Sequence, residues 1–232
     1  MTDAADFIRA NTAIGPPPLV PEVRLYLADA VTPLWHATEA SLARDQLPPP
    51  YWAFAWPGGQ ALARFVLDRP ETVRGKRVLD LGAGSGVAAI AAALAGAAAV
   101  TAAEIDPFAV AAITLNAALN AVEIAVETRD FLGIFPRHSG IFCAQSDTFA
   151  AFTDTDIILI GDMCYEWPLA ESLVAYLRQR AAAGAEVLLG DPGRAYLPQR
   201  GLEAVILYDV PTSLDLEDRT LRRTTLYRLR PG

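Results

Sequence analysis

Gly82, Gly84 and Gly86 alternate through the end of the run Val78–Gly86, after an apolar stretch and just before an Ala-rich one. Glycine lets backbone lie against a ligand where a Cβ would clash. The first turn of the following helix offers N–H groups without intrahelical partners, a ready site for an anionic group. A pyrophosphate-binding turn would read G-x-G-x-x-G and require glycine at position 87, where the chain carries Val87. The pattern therefore suits S-adenosylmethionine, whose methionine half carries a carboxylate, an ammonium and a sulfonium but no phosphate. Asp80, two residues ahead of the first glycine, is placed to accept from that ammonium; the same position would also let it tie down the glycine turn. Glu104, about 20 positions on and closing a second strand, fits a carboxylate that holds ribose hydroxyls. Its competitor Asp106 precedes Pro107 and reads better as a helix N-cap. Asp130 follows a third strand, where it could read an adenine amino group with Phe131 flanking the ring, although a lone Asp there also reads as a turn residue.

The acceptor side centres on Gly161-Asp162-Met163-Cys164-Tyr165-Glu166, which follows the all-aliphatic run Ile157–Ile160. Ligands of open α/β sheets gather at the carboxyl ends of strands, which puts Asp162 beside the donor's methyl group. A carboxylate there can accept hydrogen bonds from an amine and aim its lone pair; the competing reading is a cap on the helix containing Pro168. Tyr165 would wall the pocket and offer a π-face to a cation. Trp56, in the aromatic and Gly-rich stretch Tyr51–Gln60, would cover the cofactor, with Gly58 and Gly59 permitting close approach. Trp52 and Phe54 read as core. His36 and His138 have no partner visible in the sequence.

The elements that must position these groups alternate. Helices are expected at 3–11, 60–67, 84–94, 107–120 and 169–182. Strands are expected at 23–27, 77–81, 99–104, 123–127, 157–160, 186–189, 203–208 and 224–229. Apart from the first short strand this is a doubly wound, mostly parallel seven-stranded α/β sheet, with the final pair adding an antiparallel strand near one edge. Residues 1–50, punctuated by Pro16–Pro18 and Pro48–Pro50, form an N-terminal arm before a cofactor-binding domain at 51–232. Gly133–Thr155 is long for a connection between strands.

The chain has 232 residues, 53% of them apolar, and a formal charge of -8. That acidity argues against a general nucleic-acid binder, which would want a basic stripe. The apolar run Val87–Ala103 is better read as a helix to Gly96 and a buried strand than as a membrane span. Cys143 and Cys164 fit no metal spacing or disulfide framework. The acidic start Met1–Asp6 lacks the features of a signal or transit peptide, so a cytoplasmic protein is expected.

The order of the glycine turn, Glu104-Ile-Asp-Pro107 and Asp130 resembles that of the seven-β-strand, class I (Rossmann-like) S-adenosylmethionine-dependent methyltransferases. Asp162-Met-Cys-Tyr165 is similar to the D-x-x-Y motif of its protein-lysine branch. Trp52–Gly59, Gly161–Glu166 and Gly190-Asp-Pro-Gly-Arg-Ala-Tyr-Leu-Pro198 resemble the electron transfer flavoprotein β-subunit lysine methyltransferases. The resemblance implies lysine methylation of that subunit, with Asp162 at the target lysine, Gly82, Gly84 and Glu104 at the cofactor, and Asp130 with Phe131 at the adenine. Segment 133–155 departs from the family pattern. Two other readings remain open at this level: methylation of a small amine or heterocycle, and a non-catalytic cofactor-binding module. A nicotinamide-dependent dehydrogenase is disfavoured by Val87.

Overall fold

A computed structural model describes residues 3–28, 49–130, 132 and 154–231. Phe131, His36, His138, Cys143 and most of segment 133–155 lie outside the described residues. The main sheet is built from β3 (Arg77–Leu81), β4 (Ala99–Ala103), β5 (Ala125–Glu127), β6 (Ile157–Gly161), β7 (Glu186–Asp191), β8 (Leu202–Pro211) and β9 (Leu221–Leu229). Its order is β5-β4-β3-β6-β7-β9-β8. β3 to β7 pair in parallel, and β9 runs antiparallel to both β7 and β8, as expected for the last two strands. The order reverses between β3 and β6, so the loops leaving those two strands flank the crevice where such sheets bind ligands.

Alternation along the strands separates two apolar layers. Val78, Ile157 and Leu159 face helices α2 (Pro57–Asp68) and α3 (Val87–Leu94). Leu79, Leu81, Ile158 and Ile160 face α5 (Trp167–Ala182). Ile157 to Ile160 are all fully buried, as a central parallel strand covered on both faces requires. Helix α4 (Pro107–Leu119) starts as expected, with Asp106 Oδ1 accepting from the Phe108 N–H at 2.9 Å.

Two helices start three residues away from where the sequence pattern suggests, and the helix at Trp167–Ala182 starts two residues early. α3 begins at Val87 rather than Gly84, because Gly82, Gly84 and Gly86 all have positive φ (70°, 54° and 79°) and so belong to the turn. α2 begins at Pro57, three residues before Gln60, with proline in the first turn, where its missing N–H costs nothing. A one-turn helix, α6 (Leu214–Glu217), joins β8 to β9 where no helix is expected; the Ser213 hydroxyl caps it by accepting from the Leu216 N–H.

The N-terminal residues 3–28 comprise α1 (Ala4–Asn11) and an antiparallel pair, β1 (Ala13–Gly15) and β2 (Leu25–Leu27). Ile8 joins the apolar cluster around Trp52 and Phe54, and Phe7 meets Phe108 edge-on at 5.4 Å. Side chains of α4 satisfy the backbone of this segment. Asn120 Oδ1 accepts from the Arg24 N–H, and buried Asn116 accepts from the Tyr26 N–H at 2.8 Å. Asn116 Nδ2 also donates to the Ser85 carbonyl at 2.9 Å, which links the segment to the glycine turn. No helix among the described residues is long and apolar enough to cross a membrane.

Candidate active site

The loops after β3 and β6 touch. A Cβ placed on Gly82 would lie 2.4 Å from Met163 Sδ, so glycine is required for Met163 to close against the turn. A Cβ on Gly84 would meet nothing within 4 Å, which leaves the face of the turn open to a ligand.

Asp80 points from β3 into the layer that holds α3. It is 3% exposed, and its Oδ2 accepts from the Ala89 N–H at 2.9 Å, in the first turn of α3. Burial pushes its carboxyl up to about 7 against that hydrogen bond, and the nearby Glu104 charge adds to the rise. The side chain thus ties the glycine turn to the helix it launches. Glu104 gathers three backbone donors: Oε2 accepts from the Gly84 N–H at 3.0 Å, and Oε1 from Ile105 and Asp106 at 2.7 and 3.2 Å. Burial raises its pKa, with the three donors opposing. A carboxylate has about four lone-pair sites, so one remains for a ligand hydroxyl. Asp130 Oδ1 accepts from the Leu132 N–H at 3.0 Å, a turn-type bond.

Asp162 lies in the left-handed region, at φ 57°, a conformation that Asp tolerates better than most residues. Its backbone N–H donates to the Gly190 carbonyl at 3.0 Å, so β6 and β7 stay paired to the loop. The side chain is 8% exposed and does not cap α5, whose N-cap is Glu166. Oδ2 accepts from the Gly58 N–H at 2.5 Å, in the first turn of α2, where the helix dipole favours an anion. Oδ1 accepts from Arg194 through Nη2 at 2.8 Å and Nε at 3.2 Å. Burial raises the Asp162 carboxyl to about 6, and the Arg194 charge holds it from rising further. It is therefore mostly ionised at neutral pH.

Arg194 is the residue that sequence reasoning missed. Its guanidinium also binds Glu217 Oε1 at 2.5 Å, and Glu217 in turn pairs with Arg222 at 2.9 Å. Asp191 Oδ1 orients the loop by accepting from the Gly193 and Arg194 N–H groups, both at 2.7 Å. The available signal was the charged pair Asp191 and Arg194 in the strand-end loop 190–198, where binding and catalytic residues concentrate.

Trp56 stands at the N-cap of α2 and donates from Nε1 to the Tyr51 carbonyl at 2.9 Å. The Arg194 guanidinium sits 5.6 Å from its ring centre, which places Trp56 beside the Asp162 cluster. Tyr165 is 42% exposed, with its ring 5.8 Å from that of Tyr51. Loss of solvent, with smaller pushes from Tyr51 and Glu166, takes its hydroxyl to about 12, so it remains a donor at neutral pH. Cys164 is buried, and its thiol is likewise pushed to about 12, which makes it inert.

The comparisons with known proteins establish the family and agree with the fold. The family model of the ribosomal protein L11 methyltransferase (PrmA) matches residues 61–138. The electron transfer flavoprotein beta subunit lysine methyltransferase of Xenopus laevis is 38% identical over 97% of this chain and 86% of the relative. The Homo sapiens protein of the same name is 37% identical over 97% of this chain and 81% of the relative. This chain belongs to the electron transfer flavoprotein beta subunit lysine methyltransferase family. The fold agrees with the solved structure of SMU.776 complexed with SAH, at a TM-score of 0.53, 12% identity, and coverage of 89% of this chain and 53% of that one. In this chain, the glycine turn, Asp80 and Glu104 belong to the β3 side of the β3–β6 crevice, and Asp162, Tyr165, Trp56 and Arg194 gather at the β6 side. Met163 against Gly82 is the point where the two halves meet.

Proposed function

We propose that this protein is an S-adenosylmethionine-dependent lysine methyltransferase acting on the electron transfer flavoprotein β-subunit, with residues 51–232 carrying the reaction and residues 1–50 serving as an arm. Family membership supports the substrate. One geometric observation carries the chemistry: a buried carboxylate, Asp162, paired with Arg194, directly follows the strand adjacent to an open glycine turn.

The residues present fit the cofactor. The positive-φ turn with open space beside Gly84 admits a ligand against backbone, and Glu104 keeps one acceptor site for a ribose hydroxyl. S-adenosylmethionine supplies an electrophilic methyl group on its sulfonium.

The chain's own residues then have to present a neutral amine in line. A free lysine titrates near 10.4, so at neutral pH the charged form dominates in water. A bare carboxylate would stabilise that charged form further, whereas partial burial favours the neutral one. Arg194 resolves this opposition. Because it pairs with Asp162, the net field of the carboxylate is largely cancelled, while one of its about four acceptor sites, on Oδ2, is left for the amine. Asp162 can then align an amine N–H without trapping the ammonium. Tyr165 walls the approach, and the amine proton leaves to water. Alignment of this kind is worth several kcal/mol by holding the reacting atoms about 3 Å apart.

The direct test is mass spectrometry of the purified β-subunit incubated with this protein and S-adenosylmethionine. Mass gains of one or more methyl groups on lysine support the reading. Label that appears only in small molecules of a whole lysate refutes it.

A further inference from the structure

Four aromatic side chains are exposed on the loops that meet at Asp162. Tyr51 (36% exposed) precedes α2, Tyr165 (42%) and Trp167 (57%) follow β6, and Tyr196 (41%) follows β7. They form two bridging pairs. Tyr51 faces Tyr165 at 5.8 Å, and Trp167 meets Tyr196 edge-on at 5.9 Å. The Tyr196 N–H donates to the Cys164 carbonyl at 3.0 Å, so the second and third loops are fastened to each other beneath the rings. The remaining large exposed apolar residues among those described, such as Leu94 and Leu207, are aliphatic and lie on other elements.

Exposed rings are costly to leave in water unless they serve recognition, and tyrosine and tryptophan supply contact area at little entropic cost. A small-molecule acceptor would be enclosed in a concave site. Among the described residues these rings are instead solvent-exposed on the segments that bring Gly58, Asp162 and Arg194 together, a placement that suits a chain segment lying across the buried carboxylate with one side chain inserted. Charge selects the kind of segment. Glu166 is exposed between Tyr165 and Trp167, and its charge acts on both Tyr51 and Tyr165. The chain as a whole carries -8. A polyanion would be repelled there, and a basic segment drawn in.

We propose that Tyr51, Tyr165, Glu166, Trp167 and Tyr196 form the docking surface for the acceptor protein, and that the occupant is a basic, lysine-bearing surface segment. The aliphatic stem of the target lysine passes the Tyr51–Tyr165 pair on its way to Asp162. Neighbouring residues of the segment rest on Trp167 and Tyr196, with their positive charges toward Glu166. This rests on the lysine methyltransferase reading above and adds the surface that selects the acceptor.

The test compares steady-state methylation of the purified electron transfer flavoprotein β-subunit by the wild type, by the double variant Trp167→Ala/Tyr196→Ala and by Glu166→Lys. Titration with S-adenosylhomocysteine checks that each variant is folded and binds cofactor as the wild type does. The double variant is expected to raise KM for the protein acceptor by about tenfold or more, with kcat changed by less than about threefold. Glu166→Lys is expected to raise KM in low salt, and the difference should shrink as salt is added. Wild-type KM in both variants overturns the surface while leaving the activity intact. A wild type that cannot methylate this acceptor overturns the activity reading and the surface with it.

Discussion

Arg194 donates through two nitrogens to one oxygen of Asp162, and the same guanidinium reaches Glu217 on the one-turn helix between β8 and β9. The carboxylate that ends β6 is thereby anchored to the far edge of the sheet. Removing Arg194 leaves Asp162 buried with only the Gly58 N–H and frees its carboxyl to rise above about 6. Arg194→Ala should lower kcat at pH 7 by about 10–100-fold through misplacement of the acceptor. It should also move the acid limb of the pH–rate profile upward, because Asp162 then ionises at higher pH. Arg194→Lys keeps the charge but not the fork, so it should restore the limb's midpoint more fully than kcat. An unshifted midpoint in the alanine variant would remove Arg194 from control of Asp162.

Five buried or half-buried carboxyls are held above their ordinary range, Asp80 and Asp106 at about 7, Asp162 at about 6, and Glu104 and Asp191 also upward, in each case mainly by loss of solvent. An unfolded Asp titrates near 3.9. Between about pH 4 and 7 the folded chain therefore binds more protons than the unfolded one, and stability falls as pH rises through that window, then levels off. Paired surface carboxylates such as Glu22 have the opposite sign, but they are exposed and contribute little. Urea midpoints should be higher near pH 5 than at pH 8. Asp80→Asn, whose amide oxygen can still accept from Ala89, should flatten that difference. A wild-type midpoint that rises from pH 5 to 8 would contradict the assignment.

Much of this architecture was legible in the chain because it is written locally. β3 was expected at 77–81 and occupies those residues, since a short apolar run bounded by Arg77 and Gly82 admits little else. The second strand and the helix opened by Asp106-Pro107 are set by equally local signals. Elements governed by tertiary contact were less readable. β1 is three residues long and exists through its pairing with β2, and α6 is a single turn below the length at which periodicity speaks. Asp162 was marked by its place at a strand end. Its partner Arg194, and Glu217 that holds Arg194 in turn, were not, because they lie 32 and 55 positions further on in separate elements, and no spacing rule brings them together. Asp80 allowed two readings from sequence, and its bond to Ala89 shows that it at least fastens the helix.

Gly58 and Gly59 are adjacent but should respond differently to a methyl group. A Cβ on Gly58 would lie 2.1 Å from the Gly190 carbonyl oxygen and 2.5 Å from Asp162 Oδ2, so backbone and the site carboxylate must both move. A Cβ on Gly59 would meet only Val87 Cγ1, at 3.0 Å, which a side-chain adjustment relieves. Gly58→Ala should cost about 1–3 kcal/mol or more in denaturant unfolding and suppress activity. Gly59→Ala should be nearly neutral, because alanine's helix preference of about 1 kcal/mol offsets the contact. Equal losses at the two positions would contradict the close approach of α2 to β7.

The two halves of the crevice should separate by mutation. Glu104 holds the glycine turn through the Gly84 N–H and, on the reading proposed above, would receive a ribose hydroxyl of the cofactor. Asp162 bonds instead to the Gly58 N–H and Arg194, and its neighbour Met163 packs against Gly82 of the turn. Glu104→Ala should weaken S-adenosylhomocysteine binding about tenfold or more, since it strips an acceptor from buried backbone donors as well as from the ligand. Glu104→Gln should fall between, retaining one acceptor oxygen. Asp162→Ala should leave that affinity within about threefold of wild type while abolishing methyl transfer, because it removes the group that aligns the incoming nitrogen, and the Gly58 N–H and Arg194 that it also releases lie on the acceptor side of the crevice. Calorimetric titration and single-turnover methylation, run on the same preparations, measure the two quantities. A strong loss of cofactor affinity in Asp162→Ala, or retained transfer, would mean that the carboxylate closing β6 serves the donor or the fold rather than the acceptor.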